Sequence, residues 1–333
     1  MFDVIAIGSA TVDAFVQTDR RFARGKSYSF PIGSKIKIDE LKFDTGGGGT
    51  NTAVSFSRLG LKTAFLGKVG KGDNARRIFE QLKKEKVDTS LVVSENARTA
   101  FSIILDAKGN DRTILTYRGS SQDLGFSEIR MDRFRAKWIY SSALTGKSFE
   151  SFIKIVEFSS KNGIRVAFNP SLYLIKENKQ EIINIIHKIN ILIFNKEEAE
   201  ELISSREASR ISKGAKNESA YMSRLLKAVY KLGPELVVIT DGAKGSWCYD
   251  GVHKYEMPCH RVKVVETTGA GDAYASTFVA ARIRAQPIES AMQCAMVNAE
   301  SVIQHVGAKN ILLRWHEVME RARKANKVRK III

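Results

Sequence analysis

Val264-Val265-Glu266-Thr267-Thr268-Gly269-Ala270-Gly271-Asp272-Ala273-Tyr274 carries two β-branched apolar residues through a loop of small side chains and directly into a helical pattern over Ala273–Arg284. A strand that ends in a tight loop and feeds a helix is the joint of a βα unit, so this stretch predicts an α/β fold. Its glycines let the backbone N–H groups face one hollow, and the helix N-terminus adds roughly half a positive charge there. A transferring phosphoryl group needs such a nest. Asp272 falls in the first helical turn, beside the hollow, where it can accept the proton of an attacking hydroxyl. Taken alone, the loop reads equally well as a tight turn with an N-terminal helix acid.

Outward from this joint the same alternation recurs. Short runs rich in Val, Ile and Phe predict strands at Val4–Ile7, Thr63–Val69, Trp138–Ser141, Arg165–Phe168, Ile191–Phe194 and Leu236–Thr240. Such runs suit strands buried on both faces. Helical periodicity fills the gaps at Thr50–Leu59, Asn74–Glu85, Phe149–Asn162, Lys196–Ile203 and Ser219–Lys231. Right-handed βαβ units with helices on both sides of a parallel sheet follow. Two stretches break the rhythm. Thr11–Asp44 has no helical period, and Thr99–Leu105 with Thr113–Tyr117 reads as a hairpin around Lys108-Gly109-Asn110. The two can pair into a small sheet beside the carboxyl edge of the main one, a natural lid. Ser204–Ser219 reads as a polar surface loop or short helix.

The chain has 333 residues, 44% hydrophobic, enough for a sizeable core. Three cysteines without CxxC spacing indicate neither a disulfide framework nor a zinc site, and read as small buried or half-buried thiols. The N-terminal Met1–Gly8 carries an acid where a signal peptide needs bases and is too short to span a membrane, so a cytoplasmic protein is expected. The net charge is +17. Its densest part, Arg314 to Lys330, flanks an apolar stripe (Leu312, Leu313, Trp315, Val318, Met319) and reads as a solvated helix face. The remaining charge is spread out without aromatic interleaving, so neither nucleic acid nor membrane is an expected partner.

The second motif is Asp44-Thr45-Gly46-Gly47-Gly48-Gly49-Thr50-Asn51-Thr52-Ala53, with a helix starting at once. Consecutive glycines let a ligand touch backbone, and Asn51 offers both a donor and an acceptor to a hydroxyl. It is neither a Walker A loop nor a GxGxxG fingerprint.

These two motifs, in this order and about 220 residues apart, resemble the ribokinase-like (PfkB) carbohydrate kinase family along nearly the whole chain. Gly8-Ser9-Ala10-Thr11-Val12-Asp13, Leu66–Asp73, Asn195-Lys196-Glu197-Glu198, Thr240-Asp241-Gly242-Ala243-Lys244-Gly245 and His305-Val306-Gly307-Ala308 fit in the expected order. The resemblance implies a three-layer α/β/α Rossmann-like ribokinase fold with a mostly parallel central sheet. It implies one domain over residues 1–333, with a small β-sheet lid drawn from about 12–45 and 98–119. It also implies an ATP-dependent phosphotransferase acting on a hydroxyl of a small sugar. Asp272 would be the general base and Gly269, Ala270 and Gly271 the anion hole. Asp13, Gly47, Gly48 and Asn51 would hold the acceptor hydroxyls. Asn195, Thr240, Gly242, Lys244, Gly245, Met296 and Asn298 would line ATP, with Asn298 the polar group able to read adenine or ribose. Glu198 would organise Mg²⁺ through water, as that ion prefers. A homodimer through the lid is a further expectation.

The sequence departs from the family at informative places. Glu266 stands where many members have Asp, in a loop that often takes a monovalent cation such as K⁺; the longer side chain keeps the charge but crowds the ion. Ser141-Ser142-Ala143-Leu144-Thr145 has no acid where ribokinases proper place one against the sugar. Arg118, at the end of the lid, can pair with a carboxylate or phosphate. The alternative acceptor is a nucleoside, as in adenosine-type kinases, with Phe15, Phe30 and Phe101 as candidates for a base slot. An alternative of another class is a non-catalytic basic protein binding anions or nucleic acid on the same fold.

Overall fold

The computed structural model describes all residues except 25–26, 107–111, 204 and 306. Its main sheet has nine strands in the spatial order Arg329–Ile332, His253–Met257, Ser246–Tyr249, Leu236–Thr240, Ile191–Asn195, Arg165–Phe168, Ala136–Ser141, Phe2–Ile7 and Thr63–Leu66. The six from Leu236–Thr240 to Thr63–Leu66 pair in parallel. Along Phe2–Ile7 alternate side chains enter opposite layers. Val4 and Ala6 join the core under the helices Gly48–Arg58, Ala270–Ile283 and Ile288–Ile303, while Ile5 and Ile7 join the one under Gly146–Lys161 and Glu218–Tyr230. All four are fully buried, and removing such side chains from water stabilises the fold by about 1.5–3 kcal/mol each for the larger ones.

The expected parallel strands are all present. Thr63–Val69 is broken at Gly67, after which Lys68–Val69 pairs with Val93–Ser94 in a separate ribbon. Three antiparallel strands at the opposite edge extend the sheet beyond the sequence reading. Val264–Val265 is not a strand. Both side chains are half exposed, and this segment's backbone is held through Val265 N–H donating to the Ile303 carbonyl. β-branched identity alone cannot make a strand where no neighbour offers a ladder. The basic C-terminal segment divides into the helix Trp315–Ala322 and the edge strand, where Arg329 pairs with Glu256. Cys248 and Cys294 are buried and Cys259 is half-buried, all as free thiols.

The two irregular stretches do pair. A four-stranded sheet runs Thr113–Tyr117, Ala100–Asp106, Thr11–Gln17, Glu40–Gly46, with the central two strands parallel. The expected turn at Lys108-Gly109-Asn110 lies outside the described residues, as do Ser204 and Val306 of two other expected segments. The small sheet sits beyond the carboxyl ends of the parallel strands, where open α/β sheets bind ligands. No described helix is long and apolar enough to cross a membrane.

Candidate active site

The helix Ala270–Ile283 begins on Gly269, whose φ of +80° is left-handed. A Cβ at Gly269 would stand 2.4 Å from Ala308 Cβ, so only glycine lets the two loops meet. No side chain caps this helix. The Cβ position of Gly271 opens on empty space. Ala270 N–H donates to the Thr267 carbonyl at 3.3 Å, so the first turn presents the N–H groups of Gly271 and Asp272 and the positive end of the helix to a ligand.

In that turn Asp272 Oδ2 accepts a hydrogen bond of 2.8 Å from Asn51 Nδ2. Asn51 is buried on the helix Gly48–Arg58, and its Oδ1 accepts from Lys309 Nζ at 3.0 Å. Lys309 is buried and also donates to the Thr45 carbonyl at the end of the small sheet. Burial pushes the Asp272 carboxyl up to about 6, against the opposing pull of Asn51 and Lys309. Asp13 lies opposite Asp44 across the antiparallel pair and beside Ser102 across the parallel one. Burial also raises its pKa, with a bond from Ser102 working the other way. The backbone yields to these groups. A Cβ on Gly46 would fall 1.8 Å from Asp13 Oδ2, and one on Gly48 would fall 2.8 Å from Ser142 Oγ and 3.5 Å from Asp272 Oδ1. Gly47, at φ +94°, turns its chain against the Ser9 carbonyl. Asp13, Gly47, Gly48, Asn51, Gly269, Ala270, Gly271 and Asp272 thus come together.

A cavity of about 260 Å³ lies between the small sheet and the main one. Ser9, Thr11, Asp13, Ser102, Thr116, Thr145 and Thr268 give it small hydroxyl and carboxyl groups. The Thr268 hydroxyl is buried with no partner among the described residues. Arg118 lines the same cavity, its guanidinium 4.6 Å above the Tyr173 ring. Among the described residues no aromatic side chain lines it, so Phe15, Phe30 and Phe101 do not form a base slot there. Phe30 packs instead with Phe22 and Tyr28.

The groups expected around ATP are spread along the carboxyl edge. Asn195 ends its strand and caps the next helix. Its Oδ1 accepts from Glu198 N–H at 2.9 Å, and Glu198 Oε2 accepts from Asn195 N–H at 2.8 Å, a reciprocal capping box. Burial raises the Glu198 pKa to about 7. The Tyr140 hydroxyl, fully buried without a partner among the described residues, is held protonated by burial and by the charges of Asp272 and Glu198. Among the described residues no group of three or more His, Cys, Asp or Glu could hold a metal ion by itself. A divalent cation at Glu198 would therefore draw its other oxygens from phosphate and water, which suits Mg²⁺. Thr240 ends its strand and the turn Gly242–Lys244 follows; Gly242 and Lys244 are exposed, whereas Gly245 is buried against the Met257 carbonyl.

Three of the expected residues have their groups turned elsewhere. Asn298 is fully buried, its Nδ2 donating to Thr277 Oγ1 at 2.7 Å and its Oδ1 accepting from Leu313 N–H at 2.9 Å. Both ends of the amide are engaged in bracing helix against loop, so it presents no group to a nucleotide. Met296 is likewise buried in the core of that layer. Glu266 is already engaged: Oε2 accepts from Gly307 N–H at 2.9 Å, and Oε1 lies 3.7 Å from Arg112. Sequence reading missed Lys309 and Asp44. Asp44 heads the glycine tract, and Lys309 follows Gly307-Ala308 directly, but one lysine in so basic a chain gives no signal of burial.

Comparison with known proteins places the chain among kinases of one family and fold. A family model described as pfkB family carbohydrate kinase matches residues 1–315. A 5-dehydro-2-deoxygluconokinase of Halalkalibacterium halodurans is 28% identical over 331 residues, covering 95% of this chain and 93% of the relative. A nucleoside kinase of Methanocaldococcus jannaschii is 27% identical over 293 residues, covering 87% and 89%. The solved structure of Arabidopsis thaliana ribokinase complexed with ribose and ATP shares the fold, with a TM-score of 0.80 at 21% identity, covering 97% of this chain and 99% of that one.

Proposed function

The chain belongs to the pfkB family of carbohydrate kinases, and from that premise we propose that it transfers the γ-phosphoryl group of ATP to a hydroxyl of a small sugar acid. The observation that carries this reading is the Asn51–Asp272 pair at an uncapped helix N-terminus, beside a cavity lined by Arg118 and by hydroxyl side chains interleaved with Ile104, Ile114 and Leu144. A guanidinium placed over an aromatic ring is suited to bidentate capture of a carboxylate. The similarity to 5-dehydro-2-deoxygluconokinases supports an acidic acceptor.

In this reading Asp13 and the Gly47–Gly48 backbone orient the acceptor hydroxyls, and Asn51 fixes the Asp272 carboxylate by occupying Oδ2, leaving Oδ1 for the reacting hydroxyl. Asp272 takes the proton as the hydroxyl attacks. The loop Gly269–Gly271 and the helix end, with Ala270 N–H released from the Thr267 carbonyl, would face the charge that develops on the transferring group. Asn195, Thr240, Gly242, Lys244 and Gly245 would border ATP. Mg²⁺ held at Glu198 through water would neutralise phosphate charge. Closing the small sheet over the cavity would exclude water, a competing acceptor. Exposed Leu41, Phe43, Leu115 and Tyr117 on that sheet support a dimer formed through it.

A panel of sugars, sugar acids, sugar phosphates and nucleosides assayed for ADP release, with and without K⁺, tests the proposal. Turnover confined to nucleosides would replace it with the second reading, which the similarity to a nucleoside kinase favours. ADP release independent of any acceptor would remove both.

A further inference from the structure

One buried group near the reacting atoms has no place in the scheme above. Lys309 is 3% exposed, and a lysine is almost never buried without a partner that answers its charge. Its ammonium donates to the Thr45 carbonyl and to Asn51 Oδ1 at 3.0 Å. The other end of the same Asn51 amide donates to Asp272 Oδ2 at 2.8 Å. Lys309 thereby determines which end of the amide is the donor. With Oδ1 drawn to the ammonium, Nδ2 must point at the carboxylate. A flipped amide would set its NH₂ against the ammonium and its oxygen against Asp272, two repulsive contacts at once.

The loop carrying Lys309 is itself pinned. Arg58 Nη1 donates to the Lys309 carbonyl at 2.7 Å, while the same guanidinium grips Glu85 at 2.9 and 2.6 Å. Lys309 also joins separate parts of the site, since Thr45 belongs to the small sheet and Asn51 to the core helix beside the base. We infer that Lys309 is a positioning residue for phosphoryl transfer, holding Asp272 in register through Asn51 and tying the acceptor-binding sheet to the base. The inference rests on the reading of Asp272 as general base.

The electrostatic surroundings agree. The charged groups acting on the ammonium are Asp44 on the small sheet, Asp13 on the neighbouring strand, Asp272 on its helix, and Arg58, which opposes them. Burial lowers the Lys309 pKa to about 8 in spite of the three carboxylates. Lys309 in turn lowers the pKa of Asp272. An ammonium needed for alignment would be lost above about pH 8, and turnover would fall there.

The test compares wild type, K309M, D44N and D44N/K309M on the best acceptor of the panel, with pH profiles of kcat/KM, ATP KM and thermal denaturation. For K309M a fall in kcat on the order of 10- to 100-fold is expected, the scale of a misplaced catalytic group. ATP KM should stay within about twofold. The acid limb should move upward and the alkaline limb disappear. D44N should keep the acid limb and bring the alkaline limb down, because one carboxylate stabilising the ammonium is gone. The double variant removes the unbalanced charge, so it should recover stability without recovering turnover. K309M with unchanged kcat and acid limb would overturn the inference, as would a double variant that regains turnover together with stability. If K309M does not fold, the D44N profile decides: an alkaline limb that stays in place overturns it. D272N run in parallel separates the two readings, since turnover retained in D272N removes the base assignment instead.

Discussion

Replacing Asp272 by Asn should separate chemistry from folding. The amide cannot take a proton, and Asn51 Nδ2 still demands an oxygen at the Oδ2 position. The remaining end of the new amide would therefore turn an NH₂ group toward the acceptor hydroxyl, a donor facing a donor. Loss of a positioned general base costs about 10²–10⁴ in rate, which corresponds to about 2.7–5.4 kcal/mol in the barrier. Stability should move the other way. Burial raises the carboxyl from its ordinary 3.8 to about 6, worth at most about 3 kcal/mol against the folded state once ionised. For this carboxylate the unfolded chain gives up its proton first as pH rises. The native state then loses stability between about pH 4 and 6, and the deficit stays constant above that. D272N escapes the deficit. For a chain of 333 residues the full amount is a rise of roughly 4 °C in Tm. The assay pairs coupled ADP release with thermal scans at pH 4 and pH 7.5. Turnover down by at least 10²-fold, unchanged ATP affinity and a higher Tm only at pH 7.5 are expected. A variant that keeps more than a tenth of its activity, or one that loses turnover because its Tm falls at both pH values, refutes the reasoning.

The other outcomes follow from the same geometry. kcat/KM of the wild type should rise with pH through about 6 as Asp272 ionises, and a flat profile from pH 5 to 7 would contradict it. R118M should raise KM for acidic acceptors about tenfold or more while sparing neutral sugars, since one charge-assisted pair is worth about 1.5–3 kcal/mol; equal losses for both would remove the carboxylate role. G46A puts a methyl carbon 1.8 Å from where Asp13 Oδ2 now lies. Because a carboxylate can swing aside, the expected effect is a rise in acceptor KM with a near-normal Tm, and gross unfolding would show that the backbone cannot give.

The parallel strands were legible because burial on both faces forces β-branched or aromatic residues at nearly every position, as in Ile191–Phe194. The antiparallel edge was not. His253–Met257 alternates Lys254 and Glu256 with His253, Tyr255 and Met257, and both charged groups are buried as a pair bonded to Ser219, which no pattern of polarity discloses. Val264–Val265 failed for the opposite reason, having strand-like residues but no neighbouring ladder. At the site, the glycine motifs showed where backbone must approach closely, and the structure supplies the collisions that glycine avoids at Gly46, Gly48 and Gly269. Asn298 misled because an amide on an apolar helix looks the same in sequence whether it faces a ligand or braces a loop. Lys309 was hidden because only tertiary structure shows that this lysine, among so many, is buried.

The Asn51–Asp272 bond joins residues 221 positions apart. A ribosome adding about 5–20 residues per second needs roughly 10–40 s to span that interval. Through all of it the helix Gly48–Arg58, buried in the finished fold by the Ala270–Ile283 helix, has no partner on that side. The nascent chain is thus an unfinished globule with an apolar face awaiting its cover, a natural point of engagement for a chaperone. On the reading of Asp272 as the base it also lacks phosphotransfer activity, because the base and the phosphoryl nest are translated together and only after the first 268 residues. Premature termination before Gly269 would leave an aggregation-prone fragment with no phosphotransfer activity.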